Sequence, residues 1–341
     1  MSSVCELIKK YQLISYFVLA FAITWAVFSI PFFYSISDPS TFILTMGIGG
    51  TGPAFAAIIL SRIIKPEKVD TDSRMHLAIF LTAFALTAAC IILYLGISLS
   101  AASIPLLMLV IINSAIAAYI ISSGLSSREG IRNLLNKLYI WKVGWVWYVA
   151  ALALIPAIMY ITMIICSAIT ENPLGEIIPE VSLGVASSVI IALGYVTLVR
   201  GPLREEIGWR GFSLPRLQYL YSPLVGTLLL GVIWTIWHLP LHLNGVYGNG
   251  MDGFMQRFYF NIGVTFLFTW IYNHSRGSLL MTTFFHTSVN TTATVLLIPA
   301  AITGPYYLVF CVLVNIAAIV AIIKDKMWKK LPGDHEAVYK Y

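Results

Sequence analysis

Apolar runs of about twenty residues recur from one end of this chain to the other. A run of that length crosses the hydrocarbon core of a bilayer as an α-helix. Inside lipid every backbone N–H and C=O must find its partner within the protein, which leaves helices or a closed barrel. The short alternating strands of a barrel are absent. The expected fold is therefore all-α: a polytopic transmembrane helix bundle of about 8–10 spans. Ten candidates lie near 11–33, 41–63, 77–98, 103–122, 145–168, 182–203, 222–240, 256–273, 279–298 and 305–323. Of the 341 residues only 11% are charged, against roughly a quarter in a soluble domain, so an ordinary soluble protein is excluded.

The first run is too long for a signal-peptide core and lacks a small-residue cleavage site, so it reads as a helix. The tight turn "GISLSAAS" joins the third and fourth spans into a hairpin, and the polar residues of the ninth make it the weakest lipid-facing span. Basic residues fall in alternate loops. Lys9 and Lys10 precede the first span. Arg62, Lys65, Lys68 and Arg74 follow the second; Arg128, Arg132, Lys137 and Lys142 the fourth; Arg200, Arg204, Arg210 and Arg216 the sixth; Lys324, Lys326, Lys329 and Lys330 the tenth. Loops of the other parity, "SISDPST" and "ENPLGEIIPE" among them, are almost free of Lys and Arg; the loop after span seven has only Arg257. The positive-inside rule then makes this an integral protein of the cell (cytoplasmic) membrane with both termini in the cytoplasm. The net charge of +6 reports topology, and no nucleic-acid partner is implied.

No soluble domain is long enough to fold alone. The chain divides into N-terminal transmembrane helices (1–125), a bundle carrying the polar residues (126–323) and a basic cytoplasmic tail (324–341). At the start of the second part, Ile131, Leu134, Leu135 and Leu138 recur at helical spacing between Arg128, Arg132 and Lys137. That pattern is an amphipathic helix on the cytoplasmic surface, followed by Trp141, Trp145, Trp147 and Tyr148 at headgroup level. Cys5, Cys90, Cys166 and Cys311 show no pairing or metal spacing and read as small buried hydrophobes.

Ionisable residues at membrane depth are costly and usually functional. They concentrate in three places. In "GPLREEIGWRGF", Glu206 and Arg210 are four apart and share a helix face, so they pair. Glu205 is rotated by about 100° and meets other partners; Gly201 and Pro202 break or kink the helix just before. A charged helix end is the competing reading. In "WTIWHLPLHLNG", Trp234 and His238 are four apart, and His242 follows beyond Pro240, which denies the two histidines an assured common face. In "FFHTSVNTTATV", His286 and Asn290 share a face. Together these supply a carboxylate, imidazoles and an amide. A buried carboxylate can take a proton from water while an imidazole orients it, and the second imidazole and the amide can donate to an oxyanion.

Three motifs in this order, Glu205-Glu206-x-x-x-Arg210, Trp234-x-x-x-His238 and His286-x-x-x-Asn290, resemble the CPBP family, the type II CAAX prenyl endopeptidases and bacteriocin-processing relatives. The resemblance covers roughly residues 140–300, "WKVGWVWY" included. It departs from the family pattern at Trp234, where phenylalanine is usual. It implies a glutamic intramembrane endopeptidase in which Glu205 is the general base, acting on water with His238, and His286 and Asn290 form the oxyanion hole. Glu206, Arg210 and Trp234 support them. The implied partners are a protein or peptide substrate, with or without a prenyl group, and membrane lipid. No metal or other cofactor is expected.

A zinc-dependent membrane protease using Glu205 or Glu206 with His238, His242 and His286 is one alternative; a non-catalytic bacteriocin-immunity or scaffold protein is another. The signatures of aspartyl, metallo and serine intramembrane proteases are absent. Straight helices raise a difficulty. Glu205 would sit at the cytoplasmic end of span six, and His238 about 24 Å along span seven. The residues converge only if span six tilts, if its helix continues into the protein past Pro202, or if span seven begins in the cytoplasm. The expectation is a buried helix that carries Glu205 well below Arg200.

Overall fold

The computed structural model describes residues 3–34, 41, 44–170, 183–247, 250–294 and 305–330. The loops "SISDPST" and "ENPLGEIIPE" and most of the basic tail lie all or mostly outside these. Among the described residues the chain is helical, with an isolated bridge between Lys68 and Arg128. Helices α1 (Ser3–Lys10), α2 (Gln12–Phe28), α3 (Gly52–Ile64), α4 (Ser73–Leu95) and α5 (Ile104–Ser122) form the first part. Their ends follow local chemistry. Asp72 caps α4 by accepting from the N–H groups of Arg74 and Met75, and α4 stops at Gly96 with φ +61°. Ser103 caps α5, with Pro105 in its first turn. Helices α4 and α5 pack together as the expected hairpin. Leu77, Leu81, Leu86 and Leu93 of α4 face outward, as lipid contact requires.

The second part holds α6 (Glu129–Leu135), α7 (Trp145–Thr170), α8 (Leu183–Val199), α9 (Pro202–Glu206), α10 (Leu214–Leu220), α11 (Pro223–Trp237), α12 (Leu239–Leu243), α13 (Gly250–His274), α14 (Leu279–Thr294) and α15 (Pro305–Lys324). Among the described residues, seven helices are long and apolar enough to cross a membrane: Gln12–Phe32, Leu44–Ile64, Ser73–Leu95, Ile104–Leu125, Trp145–Ile169, Pro223–Leu243 and Tyr306–Lys324. The other three expected spans, in α8, α13 and α14, are helical too but shorter or more polar. The polar residues of α14 are mostly turned inward: Thr282, Thr283, His286, Thr287, Ser288, Thr291 and Thr292 are all buried.

Four features differ from expectation. The amphipathic segment buries Ile131, Leu134, Leu135 and Leu138 against protein. It lies on α3 and on the segment after Glu206, where Lys137 Nζ donates to the Gly211 carbonyl at 3.3 Å. Of the aromatic belt, Trp141 and Trp145 are exposed, but Trp147 packs on Trp270 and His274. Arg204, Arg210 and Arg216 are buried, so the stretch after span six is a packed helical segment rather than a basic loop. Arg257 lies inside α13 and is likewise no loop charge. No cysteine forms a disulfide among the described residues; Cys166 and Cys311 are buried as expected, but Cys5 and Cys90 are only half-buried.

The other basic loops still gather at one end of the bundle. There Arg216 donates to Gln12, Gln218 bonds Asn273, and His274 meets Asp325. Arg276 donates to the Lys142 carbonyl, Ser278 to that of Ile140, and Lys65 pairs with Glu129. The described N-terminal helix and the end of α15 share this end.

Candidate functional site

The difficulty of depth is resolved by a helical hairpin. Gly201, at φ +108°, ends the passage of α8. Pro202 then starts a new helical run in which every residue to Gln218 is buried. It passes through a π-helical stretch, Ile207–Ser213, into α10. A turn at Tyr221–Ser222 sends the chain back as α11, capped by Ser222 with Pro223 in first place. Leu217 lies against Gly226, and Glu205 against Trp234. The two arms are therefore antiparallel, and Glu205 and His238 sit at similar heights above the turn. Helix α14 aligns with the first arm: Leu279 lies against Gly211, His286 bonds Glu206, and Asn290 bonds the Arg200 carbonyl. The helix bearing Glu205 thus continues past Pro202 into the protein and is covered on its flanks.

The two glutamates point to different partners, as their rotation requires. Glu206 Oε1 accepts from Arg210 Nη1 at 2.9 Å and from His286 Nδ1 at 2.8 Å, and all three side chains are buried. The Arg210 guanidinium is held between rings, its Cζ 3.8 Å from the Phe268 centroid and 4.8 Å from that of Trp234. Glu205 Oε2 accepts from Trp234 Nε1–H at 2.8 Å. Gly201 leaves no room beside it, because a Cβ there would strike Glu205 Oε1.

Trp234 is the hub. Its ring packs on His238 at 5.7 Å, on His286 at 5.5 Å and on Phe268 at 5.7 Å between centroids. His238 closes α11 and opens α12, so the helix breaks at this residue, ahead of Pro240. Its Nδ1 lies 2.8 Å from the Trp234 carbonyl. A carbonyl only accepts, so Nδ1 carries a proton, and in the neutral ring Nε2 holds the lone pair. Glu205, His238, His286, Asn290 and Trp234 all line one cavity of about 380 Å³. All the residues to which sequence assigned chemistry therefore converge.

The same cavity has walls that sequence reasoning did not reach. Gly50, Met46 and Phe28 come from the N-terminal helices, and Trp25 Nε1 donates to the Trp237 carbonyl. Arg257 and Tyr247 close another side. Arg257 carried a usable signal, a lone cation in a helical stretch that leads directly into span eight. The zinc alternative fits poorly. Among the described residues, no three His, Cys, Asp or Glu side chains gather to hold a metal ion. His242, its third imidazole, receives Arg257 Nε–H on Nε2 at 3.1 Å, which places a cation beside that ring.

Comparisons with known proteins agree with the motifs. Residues 186–292 match the family model of the type II CAAX prenyl endopeptidase Rce1-like proteins. The chain is also similar to a CAAX prenyl protease 2 of Methanococcus maripaludis, 25% identical over 227 residues, which cover 62% of this chain and 81% of that protein. The matched family segment contains Glu205, Glu206, His238, His286 and Asn290.

Proposed function

We propose that this chain is a member of the CPBP family of type II CAAX prenyl endopeptidases and their relatives, a reading supported by the family match over residues 186–292 and by the similar CAAX prenyl protease 2, and that it hydrolyses a peptide bond within the membrane by the glutamic mechanism. The observation that carries this is that Glu205 and His238, each bonded to Trp234, line the same cavity, while Glu206 is occupied by Arg210 and His286.

A water in the cavity is oriented by His238 Nε2 and gives its proton to the Glu205 carboxylate. The resulting hydroxide attacks the scissile carbonyl carbon. Negative charge develops on the carbonyl oxygen, where the Asn290 amide donates. His286, whose Nδ1–H is directed at Glu206, donates to the same oxygen from Nε2 as an imidazolium, with Glu205 and Glu206 together facing its charge and that of Arg210. The C–N bond then breaks, and the proton held by Glu205 passes to the leaving amine. Charge that develops in a water-poor site is stabilised most by such fixed donors. The reaction needs no metal ion.

Phe28, Met46, Met159, Phe260 and Phe310 give the cavity an apolar wall, which suits an apolar or prenylated peptide entering from lipid. The chain would sit in the cytoplasmic membrane with its basic end in the cytoplasm. The test is cleavage of an S-farnesylated peptide ending in cysteine and three further residues, by purified protein in lipid nanodiscs. Glu205→Gln should fold normally and lose turnover. Retained turnover in that variant would remove Glu205 from the mechanism.

A further inference from the structure

Arg257 stands two turns inside α13 and faces the cavity. Two contacts hold its guanidinium. Nε–H donates to His242 Nε2 at 3.1 Å, and Cζ lies 4.4 Å over the Tyr247 ring. The His242 ring is itself packed edge-on against Tyr247 at 5.3 Å and Phe254 at 5.8 Å. These partners are neutral, and the hydrogen bond uses Nε, not the two Nη groups. Among the described residues no carboxylate pairs with Arg257. A half-buried guanidinium on the wall of a cavity, its other partners neutral, suits a negatively charged ligand. Its planar fork matches a carboxylate with two parallel hydrogen bonds.

Position adds a length scale. The Tyr247 ring lies 6.0 Å from the His238 ring, centroid to centroid, and 4.4 Å from Arg257 Cζ. The guanidinium is no farther from His238 than those two distances together. That is the reach of about three extended residues at roughly 3.3–3.6 Å each.

We propose that Arg257, held by His242 and Tyr247, receives the C-terminal carboxylate of the substrate and so directs cleavage to a bond within about three residues of the chain end. This rests on the peptidase reading and extends it. It gives His242 a task, presenting a cation, that the hydrolytic step does not use.

Two peptides of identical sequence, S-farnesylated on cysteine and ending three residues later as a free acid or as an amide, test it in nanodiscs. Wild type should cleave the acid with kcat/KM about 10–100-fold above the amide, the range for losing a charged hydrogen-bonded pair, mainly through KM. Arg257→Gln should bring the acid down to the amide and change amide cleavage by less than about threefold, one third of the tenfold that 1.4 kcal/mol represents. Arg257→Lys, a point charge without the fork, should fall between. Equal cleavage of acid and amide by wild type, or a preference that survives in Arg257→Gln, overturns the proposal.

Equilibrium binding of both peptides to Glu205→Gln protein separates this from the hydrolytic reading. Acid preference that the added Arg257→Gln change abolishes supports the carboxylate site even where wild type cleaves nothing, and then only the peptidase reading fails. Equal binding of acid and amide refutes the site whatever the turnover. If Arg257→Gln lowers the melting temperature, Arg257→Lys and the wild-type acid-to-amide ratio carry the decision.

Discussion

Trp234 occupies the position where phenylalanine is usual in the family that the motifs resemble, and its Nε1–H donates to Glu205 Oε2 at 2.8 Å with both groups buried. Phenylalanine keeps a ring between Arg210, Phe268 and the two histidines but has no donor. A hydrogen bond to a charged group contributes about 1.5–3 kcal/mol net. Trp234→Phe also leaves a void, which costs stability on its own account. A double-mutant cycle with Glu205→Ala separates the two terms. Alone, Trp234→Phe should cost the packing term plus about 1.5–3 kcal/mol. In the Glu205→Ala background it should cost packing less the relief of a stranded indole N–H, because an unpartnered buried donor is itself unfavourable. The coupling, read from reversible denaturant unfolding in detergent micelles, should therefore reach at least about 1.5 kcal/mol. In turnover, Trp234→Phe should slow kcat by up to about 100-fold if that energy is spent wholly on orienting the base. A coupling near zero would refute the reasoning, and Trp234 would then be only a packing residue.

Gly201→Ala should lower turnover strongly, because a Cβ there meets Glu205 Oε1 and the backbone at φ +108° disfavours it; strain of this kind costs about 1–3 kcal/mol, and unfolding midpoints with peptide cleavage measure both losses. Arg210→Ala removes one partner of a fully buried pair and should destabilise by about 3–5 kcal/mol, seen as lost yield and a lower melting temperature; normal yield and melting with no activity would instead make Arg210 part of the chemistry. Asn290→Ala should reduce kcat by about 10²–10³ as a lost oxyanion donor, and an unchanged rate would limit Asn290 to holding the Arg200 carbonyl.

Much of the site was legible because helical spacing translates directly into shared faces. Glu206 with Arg210, Trp234 with His238 and His286 with Asn290 are all four apart, and one turn of helix brings each pair together. The separation of Glu205 from Glu206 followed from the same geometry. The depth of Glu205 followed only from the requirement that it meet the histidines, not from any local pattern. Charge density made residues 200–216 look like a loop, since loop counting treats every arginine as solvated. Arg204 is instead satisfied by Gly47 and Asn113, and Arg210 is held between Phe268 and Trp234; no local pattern announces these distant partners. Arg257 was hidden by the same assumption. The amphipathic helix was visible from its period, but a period shows only that one face is apolar. Whether that face meets lipid or protein depends on α3 and the π-helical stretch beneath it.

The buried arginines also explain what the N-terminal helices do for a site whose motifs lie elsewhere. Arg204 precedes the proposed base and points away from it. Its guanidinium donates to the Gly47 carbonyl, and to Asn113 at Oδ1 (2.9 Å) and at its carbonyl (3.2 Å). Both partners lie in the first part of the chain. Gly208 meets the Pro53 carbonyl so closely that a side chain would not fit, and Tyr16 packs on Trp209 and Phe212. A helix bearing Arg204, Glu205, Glu206 and Arg210 within about two turns cannot face hydrocarbon, where an unpaired charge costs several kcal/mol. It becomes stable only when each charge is covered: Glu206 and Arg210 by each other and His286, Arg204 by the backbone and amide of the N-terminal helices. The only carboxylate of this helix without a cationic hydrogen-bond partner is Glu205, held by a neutral indole at the cavity wall. The burial that makes the charged segment tolerable in a membrane is thus the same arrangement that leaves one carboxylate, the proposed base, facing the cavity.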